Sequence, residues 1–151
     1  MLRQLITFQI GEQYLGVDIM SIREIRAWTP TTLLPHVQEH IRGVINLRGT
    51  VLPIIDLAAR LGWGLTEPTG RHVIIVVRIG GQLQGLIVDS VNDIVAIEDA
   101  DMQPPPVLGD DGSTMVSYLD GIASVENRMV MVLALDHLSL DLNGLDLAAA
   151  A

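Results

Sequence analysis

The sequence predicts a mostly-β protein made of two small barrels, and three observations predict it. Apolar runs of strand length recur along the 151 residues, separated by turn signals. Apolar residues make up 49% and aromatics only 3%, so the core is aliphatic, built from the Ile, Val and Leu that favour strands. The chain also repeats itself. GEQYLGVDIMSIREI (11–25) set over GGQLQGLIVDSVNDI (80–94), an offset of 69, gives identities at Gly11/Gly80, Gln13/Gln82, Gly16/Gly85, Ser21/Ser90 and Ile25/Ile94.

In chain order, residues 5–10 place alternate apolar side chains on one side before a glycine turn at Gly11, and 13–17 return as a second strand. DIMSIREI (18–25) reads as a short helical turn capped by Asp18. Strands at 41–47 and 50–55 meet at the polar tip Asn46-Leu47-Arg48-Gly49, where Gly49 suits a positive φ. DLAARLG (56–62) is a second helical turn with Asp56 as its cap, and GWGLTEPTGRH (62–72) is a linker. Strands at 73–79 and 83–88 follow, then a proline-rich loop at 102–114, then strands at 121–125 and 129–135 around the turn VENR. LDHLSL (135–140), with Asp136, is the last helical turn, and SLDLNGLDLAAAA is a fraying tail.

The repeat covers most of these elements. ITFQI (6–10) matches IVVRI (75–79), and GVINLRG-TVLPIIDL (43–57) parallels GIASVENRMVMVLALDHL (121–138). A module of roughly 65 residues with about five short strands is too small for a wide open sheet and closes into a barrel, which removes exposed edges. The single domain over 1–151 therefore divides into a first barrel over about 11–67 and a second over about 71–140, with the N-terminal strand available to either.

Charge and patterning exclude several functions. All nine basic residues are Arg, scattered in a chain of net charge −9, so nucleic-acid binding by phosphate neutralisation is not expected. No apolar run approaches the roughly 18 to 20 residues that cross a bilayer. The N-terminus lacks a secretory pattern and there is no cysteine, which makes the cytoplasm the expected compartment.

An enzyme would need a nucleophile beside a base, a close carboxylate pair, metal-ligand spacing or a phosphate-cradling loop, and no such motif stands out. His36 and His40 lie four apart, but Pro35 precedes them and no third ligand is near, so neither a metal nor another cofactor is expected. Asp56 and Asp136 read as helix caps, Asp89 and Asp93 have no companion, and Gly16 and Gly85 mark close backbone approach. Glu24 and Arg48 differ. Each is a charge set among apolar residues, SIREI and VINLRG, in the same half of the chain. Facing each other beside Ile22, Ile25 and Leu47, they would make a polar spot on an apolar surface, as protein-binding sites do. Other readings are a small-ligand or oligonucleotide-binding barrel, and a hydrolase built on converging carboxylates.

The strings IREIR (22–26), GVINLRGTVLPIIDL (43–57), GLIVDSVNDI (85–94) and GIASVENRMVMVLALDHL (121–138) together resemble the CheW family of bacterial chemotaxis coupling proteins, from about residue 4 to residue 140. The resemblance implies two packed five-stranded SH3-like barrels with a short C-terminal helix. It further implies a non-catalytic scaffold joining the cytoplasmic tip of chemoreceptors to the regulatory domain of the histidine kinase CheA, at the inner face of the membrane without insertion. Carried over by position, the receptor groove includes Ile22, Glu24, Arg48, Val91 and Ile94, and the kinase meets Ile41, Gly43 and Val44. The chain departs from the family pattern at Ala27-Trp28 and in the acidic 102–114 loop.

Overall fold

The computed structural model describes residues 2–104 and 119–135. The strands are β1 (Leu2–Ile10), β2 (Gln13–Asp18), β3 (Ile22–Ala27), β4 (Ile41–Leu47), β5 (Thr50–Asp56), β6 (Val73–Ile79), β7 (Gln82–Val88), β8 (Ser90–Glu98), β9 (Met102–Gln103), β10 (Leu119–Val125) and β11 (Arg128–Leu133), with one α-helix, α1 (Leu57–Arg60), among the described residues. The class is mostly β, as expected. The expected C-terminal helix, the Asp136 cap, the tail and most of the 102–114 loop lie outside the described residues.

Two sheets form, one ordered β8-β1-β2-β11-β10-β9 and the other β3-β6-β7-β5-β4. The duplication is visible in the register. Ile54 pairs with Gly85 in the parallel β5–β7 contact, and Val132 pairs with Gly16 in the parallel β11–β2 contact. Ile25 opposes Ile75 and Ile22 opposes Val77 across one bulge, while Ile94 opposes Ile6 and Val91 opposes Phe8 across its counterpart.

The division of the chain between barrels differs from the expected one. β6 and β7 join the sheet of β3, β4 and β5, so one barrel runs continuously from Ile22 to Val88, and the other combines both ends of the chain. Each copy has lent its first hairpin to the other. Connection length explains the exchange. Val88 pairs with Val73, and only Asp89 separates β7 from β8. Returning to the same sheet would place Val91 beside Val77, two strand spacings across (~10 Å) and four residues along (~13 Å). Three residues reach only about 10 Å, so β8 must enter the other sheet.

Both rings close through the chain itself. Beyond β3, Thr32 forms a two-bond bridge with Val44 of β4, the backbone N–H···O contacts being 2.8 and 2.9 Å. In the other sheet the same place is taken by β9, which follows β8 and pairs with β10. This two-residue strand makes six strands where five were expected.

Apolar side chains fill three volumes. Ile45, Leu47, Leu52, Ile54, Ile74, Val76 and Ile87 fill one barrel; Leu5, Ile97, Ala123 and Val132 fill the other. Between them lies the largest cluster, including Phe8, Leu15, Val17, Ile75, Val77, Leu86 and Val88. Strands β1, β2, β6 and β7 thus have one face in a barrel and one in the shared core, which is why VIIVV reads as a continuous apolar run. Arg3 adds a polar pin, reaching Asp18 at 3.8 Å and Asp120 at 3.6 Å across one barrel.

Gly16 and Gly85, at the same position of the repeat, leave different room for a side chain. A Cβ on Gly85 would lie 2.7 Å from both Ile54 Cδ1 and Ile74 Cγ2, whereas one on Gly16 would lie 3.3 Å from Leu5 Cδ1 and Val130 Cγ1. Gly85→Ala is therefore expected to destabilise by about 1–3 kcal/mol through overpacking, and Gly16→Ala by clearly less. Urea unfolding midpoints of the two variants test that order.

Candidate functional site: a charged hairpin tip beside the barrel junction

The β4–β5 hairpin turns through Arg48 and Gly49, both in the left-handed region at φ 51° and 88°. The Asn46 carboxamide oxygen accepts the Gly49 N–H at 2.7 Å. Held on this tip, the Arg48 guanidinium donates to Glu24 Oε1 at 2.5 Å. Glu24 stands on β3, the far edge of the same sheet, so the ion pair spans the seam that closes the barrel. The Arg48 side chain is 74% exposed and that of Glu24 27%. Such a pair contributes at most about 1 kcal/mol to folding, so its arrangement concerns presentation more than stability. Arg26 Nη1 approaches the second carboxylate oxygen at 3.9 Å. One carboxylate therefore sits between two guanidiniums, a feature the sequence reading passed over although IREIR contains it.

Ile22 and Val91, equivalent positions of the repeat, are both half-buried against the core between the barrels. Ile94 is 58% exposed on β8 and its repeat partner Ile25 is 41% exposed on β3. The five residues expected at a receptor groove thus fall into three sets. Glu24 and Arg48 meet directly, Ile22 and Val91 border the common core, and Ile94 stands outward on the other barrel.

Ile41, Gly43 and Val44, expected to meet a kinase, are buried: Ile41 is 7% and Val44 8% exposed. Ile41 belongs to the shared core, and Gly43 and Val44 lie under the Thr32 bridge. They shape the closing edge and do not offer side-chain surface. The exposed apolar group nearest along that bridge is Leu33, 80% exposed.

The remaining polar groups have structural partners. Asp56 is fully buried, accepting from Thr66 N–H at 2.6 Å, Thr66 Oγ1 at 2.7 Å and the Ala59 N–H of α1 at 3.4 Å. Asp89 accepts the Gly11 N–H at 2.7 Å and lies 3.3 Å from His72 Nε2, tying the linker to the β1–β2 turn. His36 occupies a positive-φ turn and His40 is buried, with no helix to align them. Among the described residues no three His, Cys, Asp or Glu side chains are grouped as a metal would require. No helix among them is long and apolar enough to cross a membrane. A cleft of about 720 Å³ lies between the 63–66 segment and the β1–β2 turn, lined in part by Trp63, Leu65 and Met131. Only Trp63, an aromatic in a linker, hinted at it in the sequence.

A rigid double barrel that presents a charged tip beside half-buried isoleucine and valine has the makeup of a protein-binding scaffold. The CheW-like domain model matches residues 4–142. Chemotaxis protein CheW of Rhizobium meliloti (strain 1021) is 48% identical over 134 residues, 89% of this chain and 85% of that protein. Chemotaxis protein CheW of Bacillus subtilis (strain 168) is 32% identical over 130 residues, 86% of this chain and 82% of that one. Among solved structures, the scaffolding protein TtCheW from Thermoanaerobacter tengcongensis superposes with a TM-score of 0.81 at 34% identity, covering 91% of this chain and 88% of its own. The chain belongs to the CheW-like family, and with it to the non-catalytic chemotaxis scaffold proteins.

Proposed function

We propose that the chain couples the cytoplasmic tip of chemoreceptors to the regulatory domain of the histidine kinase CheA, acting in the cytoplasm and held at the inner membrane face through those complexes. The observation that carries the receptor half is the Arg48–Glu24 pair, exposed at the barrel seam. A receptor tip is a helical hairpin. Its apolar ridge would lie against Ile22, Val91 and Ile94, and the charged pair would fix its orientation. For the kinase half, the closing edge of the first barrel remains the candidate, with Ile41, Gly43 and Val44 holding its shape and Leu33 supplying exposed apolar surface.

Arg48→Ala and Glu24→Ala are each expected to weaken binding of a receptor tip fragment by about five- to thirtyfold, roughly 1–2 kcal/mol for a charged residue near the centre of an interface. Their thermal midpoints should stay within a few degrees of wild type, because both side chains reach solvent. Titration calorimetry with the purified variants checks this. Wild-type affinity in Arg48→Ala would place the groove elsewhere.

A further inference from the structure

We propose that Asn46 is a positioning residue for the partner-binding site, fixing the direction of Arg48; the inference rests on the reading of Arg48 as a partner-binding group. The two hairpins of the repeat turn alike: Arg48 and Gly49 have φ values of 51° and 88°, and Glu126 and Asn127 have 50° and 65°. Left-handed conformation at both central positions makes the tight turn that matches strand twist and favours Asn or Asp first and Gly second. Arginine in the first position brings a Cβ into a crowded region and has no short polar group to bond its own backbone.

The first hairpin supplies that bond from outside the turn. Asn46, exposed at the end of β4, accepts the Gly49 N–H through Oδ1 at 2.7 Å. In the second hairpin the equivalent position is Ser124, whose shorter side chain cannot reach as far along the strand. The Arg48 side chain, 74% exposed, is not aimed by packing, so its direction depends on its two ends. Glu24 holds the guanidinium and Asn46 holds the backbone from which it departs. Without the Asn46 bond the Gly49 N–H loses its side-chain acceptor, and the backbone from which Arg48 departs is held less firmly in the direction that brings the guanidinium to Glu24.

The test is a double-mutant cycle. Wild type, Asn46→Ala, Arg48→Ala and the double variant are titrated with a recombinant receptor cytoplasmic-tip fragment, alongside Asn46→Asp, which keeps the acceptor. Asn46→Ala should lose about three- to tenfold in affinity, Asn46→Asp should stay near wild type, and adding Asn46→Ala to Arg48→Ala should cost nothing more. Amide exchange at Gly49 should quicken in Asn46→Ala. If the Asn46→Ala loss is as large on the Arg48→Ala background, Asn46 touches the partner itself and the positioning role is wrong. If Arg48→Ala loses affinity and Asn46→Ala does not, the inference fails while the proposed function stands. If Arg48→Ala keeps full affinity, the proposed site falls and this inference with it.

Discussion

Gly43→Ala should be among the most damaging single-methyl changes in the molecule, lowering stability by about 3 kcal/mol or more, the range reached when a strained backbone and a steric clash coincide. Its φ is +130°, outside the regions that side chains adopt readily, and a Cβ would lie 2.3 Å from the Thr32 carbonyl oxygen. Side chains can turn aside from a new methyl, but here the obstacle is backbone, and that backbone belongs to the bridge that closes the first barrel. Moving Thr32 away breaks both hydrogen bonds to Val44 and opens the seam spanned by Arg48 and Glu24. Gly121→Ala is the informative comparison, since its Cβ would meet the flexible Met102 Cγ at 2.5 Å and the Gln103 carbonyl at 2.7 Å without a positive φ. Chemical denaturation should rank Gly43→Ala well below Gly121→Ala. Equal midpoints would show that the Thr32 bridge is not needed to close the ring.

Asp56→Ala is expected to cost about 2–4 kcal/mol, because it strands several buried donors at once. The carboxylate is fully buried and joins three elements: it ends β5, caps α1 through Ala59 and receives both the N–H and the hydroxyl of Thr66. Asp56→Asn should recover only part of the loss, since its NH₂ would replace one of the acceptor oxygens and face a donor. The segment carrying Trp63 and Leu65 lies between α1 and Thr66, so its order should fall together with stability. Urea midpoints read the first effect and tryptophan emission in a Trp28→Phe background reads the second. A loss under about 1 kcal/mol would mean that the buried carboxylate is dispensable.

Both effects show what the sequence could and could not tell. Asp56 as a cap and the paired Gly16 and Gly85 were legible, because a carboxylate before a helical turn and a glycine inside a strand each have few physical uses. The meeting of Glu24 with Arg48 was legible too, as two charges set in apolar surroundings. β3 was not. DIMSIREI reads as a helical turn, yet only Ile19–Ser21 is helical, and Ile22–Ala27 is a strand. On β3 the more buried positions are Ile22, Glu24 and Arg26 while Ile25 points outward, so the apolar alternation that marks a strand is inverted after Ile22. β8 was missed for a related reason: its second half alternates, but Asp93 and the exposed Ile94 obscure the pattern.

Hairpin exchange was illegible on different grounds. Similarity at a fixed offset defines the repeating unit, but each β1-type hairpin can complete either barrel with the same hydrogen bonds. The choice rests on connection length, with Asp89 alone between β7 and β8. Burial of Gly43 and Val44 follows from ring closure, since the Thr32 bridge covers the edge that would otherwise offer them to a partner, while Ile41 is taken up by the shared core. Repeat analysis combined with linker reach would have found the exchange; no property of single residues would.

The most direct test of the coupling role is a bridging assay with three purified components. Receptor tip fragments displayed on vesicles are incubated with the CheA regulatory domain, with and without this chain, and sedimented. The account predicts that the regulatory domain pellets with the vesicles when the wild-type chain is present and that its recovery falls with Arg48→Ala. Recovery that is the same with and without the chain, under conditions where the kinase domain alone stays in solution, would contradict it.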